Sequence, residues 1–248
     1  MQANQTFWET TVEFPQLTNL EVHVWRVHLK DQEEHLLDLF NTLSDEERER
    51  AERFAFKPDK VRFISARSSL RTLLGLYLGI TPEVIEIVYG PWGKPQLLTT
   101  DSDAEIEFNL SHSEEIYLLA FTLRRQVGID IEFLRPIQNM EDLIDRFFSP
   151  NEAMQISRLP EEQQLAAFYR VWTCKEAFIK ATGEGVSRPL DEIEISANPE
   201  EPTRLINMKN SLGETSRWQI EILTPALGYS SALAVEGTDW HLRTFTLL

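Results

Sequence analysis

Apolar and polar residues alternate along LEVHVWRVHL, Leu20 to Leu29, which predicts a strand with one buried face. The same period of two recurs in VIEIVY, Val84 to Tyr89, in IEFNLSHS, a strand ending at Ser111-His112, and in VGIDIEFL, where Val127, Ile129, Ile131 and Phe133 share one face. IYLLAFTL is apolar almost throughout and predicts a central strand. Helical signals sit between these runs. LSDEERERAERFAF opens with Ser44 and carries Glu47 three residues on, the pattern of a capping box. A second helix is predicted from about Asp59 to Leu78, before the turn Ile80-Thr81-Pro82. EDLIDRFF predicts a helix, and Ser149-Pro150 starts another. The longest helical pattern is QQLAAFYRVWTCKEAFIKAT, stopped at Gly183. Its core-facing stripe is Ala167, Val171, Cys174, Phe178 and Ala181, with Glu176 and Lys180 nearly opposite. DEIEIS, SRWQIEIL, SSALAVEG and WHLRTFTL are late strand candidates.

Helices and strands therefore mix in both halves, with strands grouped late in each. That favours an α+β fold over a regular βαβ repeat. The second half begins near Gln126, so two lobes are expected, residues 1–125 and 126–248, with a site between them. A chain of 248 residues with 42 % hydrophobic side chains can bury a core of that kind. One cysteine, Cys174, excludes a disulfide framework and a cysteine-rich zinc site, and on the core stripe it is a poor nucleophile. The absence of a long apolar run and of a leader-like start predicts a soluble, cytoplasmic protein without a membrane partner.

The net charge of −16 argues against a nucleic-acid partner. It is unevenly spread. Arg48, Arg50, Arg53, Lys57, Lys60, Arg62, Arg67 and Arg71 face only Glu49, Glu52 and Asp59, so this segment is net +5 (8 minus 3). Such an island fits either a local anionic ligand or a helix face laced with ion pairs.

GIDIE, Gly128 to Glu132, places Asp130 and Glu132 on one face of a strand, about 7 Å apart. Carboxylates that close suit a hard divalent cation such as Mg²⁺. An alternating, half-exposed strand produces the same pair with no ligand at all. Glu176 is a third carboxylate, flanked by Trp172 and Ile179 and so not on a simply solvated face. It suits a metal ligand or a general base. Lys180, four residues on, is a surface ion-pair partner or a phosphate holder. His112 ends its strand, and Lys94 is aimed by Gly93 and Pro95.

GIDIE followed by WTCKEAFIKATGEG resembles the signature pair of the 4′-phosphopantetheinyl transferases. FNLSHS and GKPQL upstream match two further blocks of that family in the same order. The similarity spans about Leu43 to Ser196, and the length resembles the surfactin-type branch. That branch is monomeric, with two similar lobes in a pseudo-twofold arrangement and the active site in the cleft.

The resemblance implies transfer of the 4′-phosphopantetheine arm of coenzyme A to a serine of an apo carrier protein (acyl, polyketide or peptidyl), releasing adenosine 3′,5′-bisphosphate. It implies Mg²⁺, with Mn²⁺ as substitute, on Asp130, Glu132 and Glu176, and Glu176 as base for the serine. Lys180 would hold the pyrophosphate. Lys94, Asn109, Ser111 and His112 would line the coenzyme A site, with Arg62, Arg67 and Arg53 toward the 3′-phosphate. The first lobe would contribute to coenzyme A binding; the second would carry the metal site and dock the carrier near the helix after Pro150. Two departures stand out: Glu47 replaces a basic residue of some relatives, and GPWGKP lacks two basic residues that some carry before GKP. A coenzyme A pyrophosphatase or phosphodiesterase on the same site, and a binding protein without chemistry, are the competing readings.

Overall fold

The fold is mixed α+β, in a computed structural model that describes residues 6–11, 13–98, 105–185, 188–196, 203–209 and 214–247. Strand β1 (Glu21–His28) leads into two short helices, α1 (Leu29–Gln32) and α2 (Leu36–Asn41). Helix α3 (Asp45–Glu52) starts at the predicted capping box, with both Ser44–Glu47 bonds formed. Helix α4 (Lys57–Leu78) ends on Gly79 in the left-handed region, φ 68°. The VIEIVY strand is shorter than its alternation suggests. Pro82–Val84 forms a 3₁₀ turn, so β2 is Ile87–Tyr89, paired with β3 (Pro95–Leu97).

Strands β4 (Ile106–Ser113), β5 (Ile116–Leu123) and β6 (Val127–Phe133) follow. Then come α5 (Met140–Phe147), α6 (Pro150–Ser157) and the long α7 (Glu161–Thr182). Helix α6 has its own capping box, Ser149 with Glu152. A hairpin of β7 (Ile193–Ile195) and β8 (Leu205–Met208) precedes β9 (Trp218–Leu223), β10 (Tyr229–Glu236) and β11 (His241–Leu247). Among the described residues no helix is long and apolar enough to cross a membrane.

Two sheets carry the architecture. One has the order β11-β1-β5-β4, and the other is β6-β10-β9. The apolar run of β5 is explained by its interior position, with both neighbours paired antiparallel. The last strand, β11, runs parallel to β1, so the first sheet takes an edge from the end of the second half. Helix α4 covers one face of the first sheet through Leu70, Leu73 and Leu74 against Phe108, Leu119 and Phe121. The other face meets the second sheet through Val22, Val24, Leu118 and Ala120 against Ile129, Ile131 and Leu233. Helix α7 covers the far side of the second sheet. The order of layers is thus helix, sheet, sheet, helix.

The two sheets also meet edge to edge. Alternate side chains of β4 satisfy the outer edge of β6: Asn109 Oδ1 accepts from Ile129 N at 2.9 Å, and Ser113 Oγ from Phe133 N at 2.9 Å. This stitching fixes β6, and with it Asp130 and Glu132, against β4.

His23 on β1 is fully buried beside Tyr77, with its Nδ1 2.8 Å from the Tyr77 hydroxyl. Burial, opposed by Glu21 and assisted by Arg243, lowers its pKa to about 4. The unfolded chain then binds a proton between pH 6.5 and 4 that the folded one does not, so stability falls with pH across that window. The expected loss from this residue is about 2–3 kcal/mol. Urea titrations at pH 7 and pH 4.5 check it: the fall should be smaller by that difference in His23→Gln, and equal falls in both proteins would refute the assignment.

Candidate active site

The segment GIDIE is β6, and its glycine determines where the rest goes. A Cβ on Gly128 would overlap the Ala177 carbonyl oxygen and the Ala181 amide nitrogen of α7 and lie 2.9 Å from the Ala181 Cα. The bare backbone lets β6 pack directly on the helix. Glu176 and Lys180, on the turns beside that contact, are thereby brought to the rim of β6 where Asp130 and Glu132 emerge.

Asp130, Glu132, Glu176 and Lys180 all line one open cavity of about 390 Å³, together with Ser111, His112 and Trp172. Asp130 is buried, unlike the half-exposed strand residue that simple alternation would give. Its Oδ1 accepts from Lys180 Nζ at 2.6 Å and from Ser111 Oγ at 3.0 Å. Its Oδ2 is buried with no hydrogen-bond partner among the described residues. Glu132 accepts from Ser113 Oγ at 3.2 Å. Burial, then the Asp130 charge, raises the pKa of Glu132 above the ordinary carboxylate value. Glu176 is raised by burial, then by Asp130 and by Glu132, against the pull of Lys180.

These are the marks of a site suited to a divalent cation: three carboxylates on one cavity, mutual repulsion, and a buried carboxylate oxygen that no described residue satisfies. As the side chains stand, no group of three acidic, His or Cys residues among those described could hold a metal ion. Lys180 and Ser111 take one Asp130 oxygen, and Ser113 takes one from Glu132. Glu176 and Lys180 also line a second, larger cavity of about 480 Å³, walled by apolar groups of Trp92, Leu110, Phe147, Ile179 and Leu190.

The other residues singled out in the sequence divide into three groups. Ser111 and His112 border the carboxylates. Burial, then Lys180 and Arg62, hold His112 below the ordinary imidazole value, but Arg62 itself lines neither cavity and sits with Leu29, Lys57 and Glu115 in a separate one. Asn109 and Lys94 line the larger cavity. Asn109 Oδ1 is engaged with β6, and Lys94 Nζ donates to the carbonyls of Ala181 at 2.9 Å and Val127 at 3.2 Å, so each also has a structural task. Arg67 and Arg53 line neither cavity. Arg67 is buried on Glu47 at 3.1 Å, and Arg53 is an exposed partner of Glu49. Glu47 also pairs with Arg71, while Arg48, Lys60 and Arg62 pair with Asp45, Glu52 and Asp59. Most of the basic island is therefore paired with nearby carboxylates, and none of Arg53, Arg62 and Arg67 lines either cavity.

Lys175 is absent from the sequence-level set. It sits beside Glu176, yet it is fully buried, on the same side of α7 as Val171 four residues earlier. That i, i+4 spacing from the core stripe was the available signal.

Comparison with known proteins agrees with the motif order. Residues 126–235 match the model of the 4′-phosphopantetheinyl transferase superfamily, and residues 28–123 match that of the 4′-phosphopantetheinyl transferase N-terminal region. The 4′-phosphopantetheinyl transferase HetI of a Nostoc species is 42 % identical over 229 residues, covering 92 % of this chain and 93 % of that protein. The chain belongs to the 4′-phosphopantetheinyl transferase superfamily. The 4′-phosphopantetheinyl transferase Sfp of Bacillus subtilis is 31 % identical, covering 62 % of this chain and 66 % of that protein. Among solved structures, the holo-(acyl-carrier-protein) synthase of Bacillus anthracis in complex with coenzyme A is 23 % identical with a TM-score of 0.38, covering 46 % of this chain and 96 % of that one.

Proposed function

We propose that this superfamily member transfers the 4′-phosphopantetheine arm of coenzyme A to a serine of an apo carrier protein and releases adenosine 3′,5′-bisphosphate. The observation that carries the reading is the gathering of Asp130, Glu132, Glu176 and Lys180 on one cavity that opens beside a larger apolar one. The carboxylate-lined cavity suits the charged pyrophosphate of coenzyme A, and the larger one suits a further part of the same molecule.

Asp130, Glu132 and Glu176 would hold Mg²⁺ or Mn²⁺ after rotation of their side chains. A cation held by these residues would supply charge neutralisation at the pyrophosphate. Lys180 adds a positive charge on the same wall, where the leaving bisphosphate gathers negative charge. Glu176 would accept the serine proton, directly or through water. His112 places a donor on the flank for the nucleotide phosphates. Residues 1–125 serve mainly coenzyme A, and residues 126–248 bring the carboxylates and a docking face at α6, where Met154 is exposed. In this reading the two halves form pseudo-twofold lobes of a monomeric, cytoplasmic enzyme.

The test mixes the protein with coenzyme A, Mg²⁺ and an apo carrier and measures intact carrier mass. A gain of one phosphopantetheine is expected. Cleavage of coenzyme A without a carrier product would assign the site to hydrolysis, and binding without either event would assign it to a non-catalytic protein. Carrier capture should rest on apolar contact, because a chain of −16 repels acidic partners at long range. Raising salt from 50 to 300 mM should change the carrier KM by less than about tenfold, since screening acts on exposed charge pairs. A change of orders of magnitude would replace this picture with an electrostatic one.

A further inference from the structure

Strand β4 sets a hydroxyl against each carboxylate of β6. Ser111 Oγ donates to Asp130 Oδ1 at 3.0 Å, and two residues on, Ser113 Oγ donates to Glu132 Oε2 at 3.2 Å. Both steps are the strand period of two, so hydroxyls and carboxylates stay in register along the seam. The two serines differ in one respect. Ser111 lines the carboxylate cavity, whereas Ser113 is buried and lines neither that cavity nor the larger one.

The Ser113 hydroxyl is committed on both sides. Its oxygen accepts from Phe133 N at 2.9 Å, so its one proton must point away from that N–H, and it goes to Glu132. The burial of Ser113 does not account for this partner. Glu132 is only half-buried and is repelled by Asp130, so an unrestrained side chain is expected to turn outward to water. Instead it stays on the cavity that Asp130 and Glu176 also line. Oε2 carries the Ser113 bond, and Oε1 takes none from a described residue, so one oxygen is left for a cation. Glu132 can therefore bind without giving up Ser113.

We propose that Ser113 is a positioning residue that presets Glu132 as a cation ligand, holding Oε2 against β4 and leaving Oε1 for the ion. This rests on the reading that Asp130, Glu132 and Glu176 bind the divalent cation. Ser113 touches neither the cation nor coenzyme A; it acts through Glu132. A carboxylate already fixed before the ion arrives spares the entropy of ordering a long side chain on binding.

The experiment titrates Mn²⁺ by calorimetry into the full chain with coenzyme A present, against a blank of coenzyme A alone. Wild type should bind Mn²⁺, and Glu132→Gln should bind it more weakly. Ser113→Ala should weaken Mn²⁺ about tenfold, the size of loss that follows removal of a ligand's hydrogen-bond partner. Ser113→Thr, which keeps the hydroxyl, should recover most of it. The deciding variant combines Ser113→Ala with Glu132→Gln: its affinity should lie within about twofold of Glu132→Gln alone, because a residue that acts through Glu132 has nothing left to act on. A purely structural serine would impose the same loss in both backgrounds. Should Ser113→Ala not fold, Ser113→Cys, a near isostere with a weaker donor, should show the loss at about threefold and lose it again beside Glu132→Gln. A folded Ser113 variant that binds as wild type does, or equal losses in the two backgrounds, overturns the proposal while the parent reading stands. A wild type that binds no Mn²⁺, or a Glu132→Gln that binds it equally well, overturns the parent reading and the proposal together.

Discussion

Asp130→Asn is expected to lower carrier modification by about 10³-fold, the loss typical of removing one preorganised electrostatic group at a site of developing charge. It corresponds to about 4 kcal/mol of transition-state stabilisation. The amide keeps the shape of the carboxylate and an oxygen that still accepts from Lys180 and Ser111, so the stitching of the site survives. What goes is a full negative charge at the centre of the cluster, beside the buried Oδ2. The fold should tolerate the change, because Asp130 is also a source of repulsion on Glu132 and Glu176. Intact-mass kinetics read the first effect, and a melting temperature within about 4 °C of wild type, about 1–2 kcal/mol, reads the second. Mn²⁺ binding followed by calorimetry should weaken in parallel. Turnover within tenfold of wild type would remove Asp130 from the chemistry.

Gly128→Ala is expected to destabilise the protein by about 3–5 kcal/mol, at or above the upper end of overpacking costs. Most overpacked side chains find room by rotating a neighbour. Here the neighbour is helix backbone, the Ala177 carbonyl and the Ala181 amide, held in the α7 hydrogen-bond ladder. Either α7 moves away from β6 or the ladder breaks locally. Both outcomes also separate Glu176 and Lys180 from Asp130, so any folded fraction should turn over slowly. A melting temperature lowered by about 10 °C or more is expected for a chain of this size. A variant that melts within 3 °C of wild type would show that the strand–helix contact yields more easily than its geometry suggests.

Much of this site is legible in sequence because its parts lie on regular elements. The period of two put Asp130 and Glu132 on one face, the period of 3.6 put Glu176 and Lys180 on neighbouring turns, and the motif order joined strand to helix. The capping box at Ser44 forms as read, since it depends on four consecutive residues, and the helix read from Ser149-Pro150 starts there. The less legible features depend on residues distant in the chain. Arg67 looked available to a phosphate because its neighbours in sequence are basic, but Glu47, twenty positions earlier, holds it. Lys94 was aimed by Gly93 and Pro95 toward a target that the loop does not name, and its ammonium bridges carbonyls from β6 and α7. Lys175 was hidden by its chemistry: a lysine reads as surface unless its partner, Glu152, is already known to be buried. VIEIVY lost half its length because Pro82 favours a turn that alternation alone does not register.

The parallel pairing of β11 with β1 has a consequence for how the molecule is made. Glu21 lies opposite His241, a separation of 220 positions (241 minus 21). During synthesis β1 can pair with β5 as soon as the first half emerges, but its other edge must wait for almost the whole chain. Until then an apolar strand containing Val22, Val24 and Val27 has an open side on which another nascent chain can add. A nascent chain that already holds β1 and β5 but not β11 thus keeps that edge open to other chains.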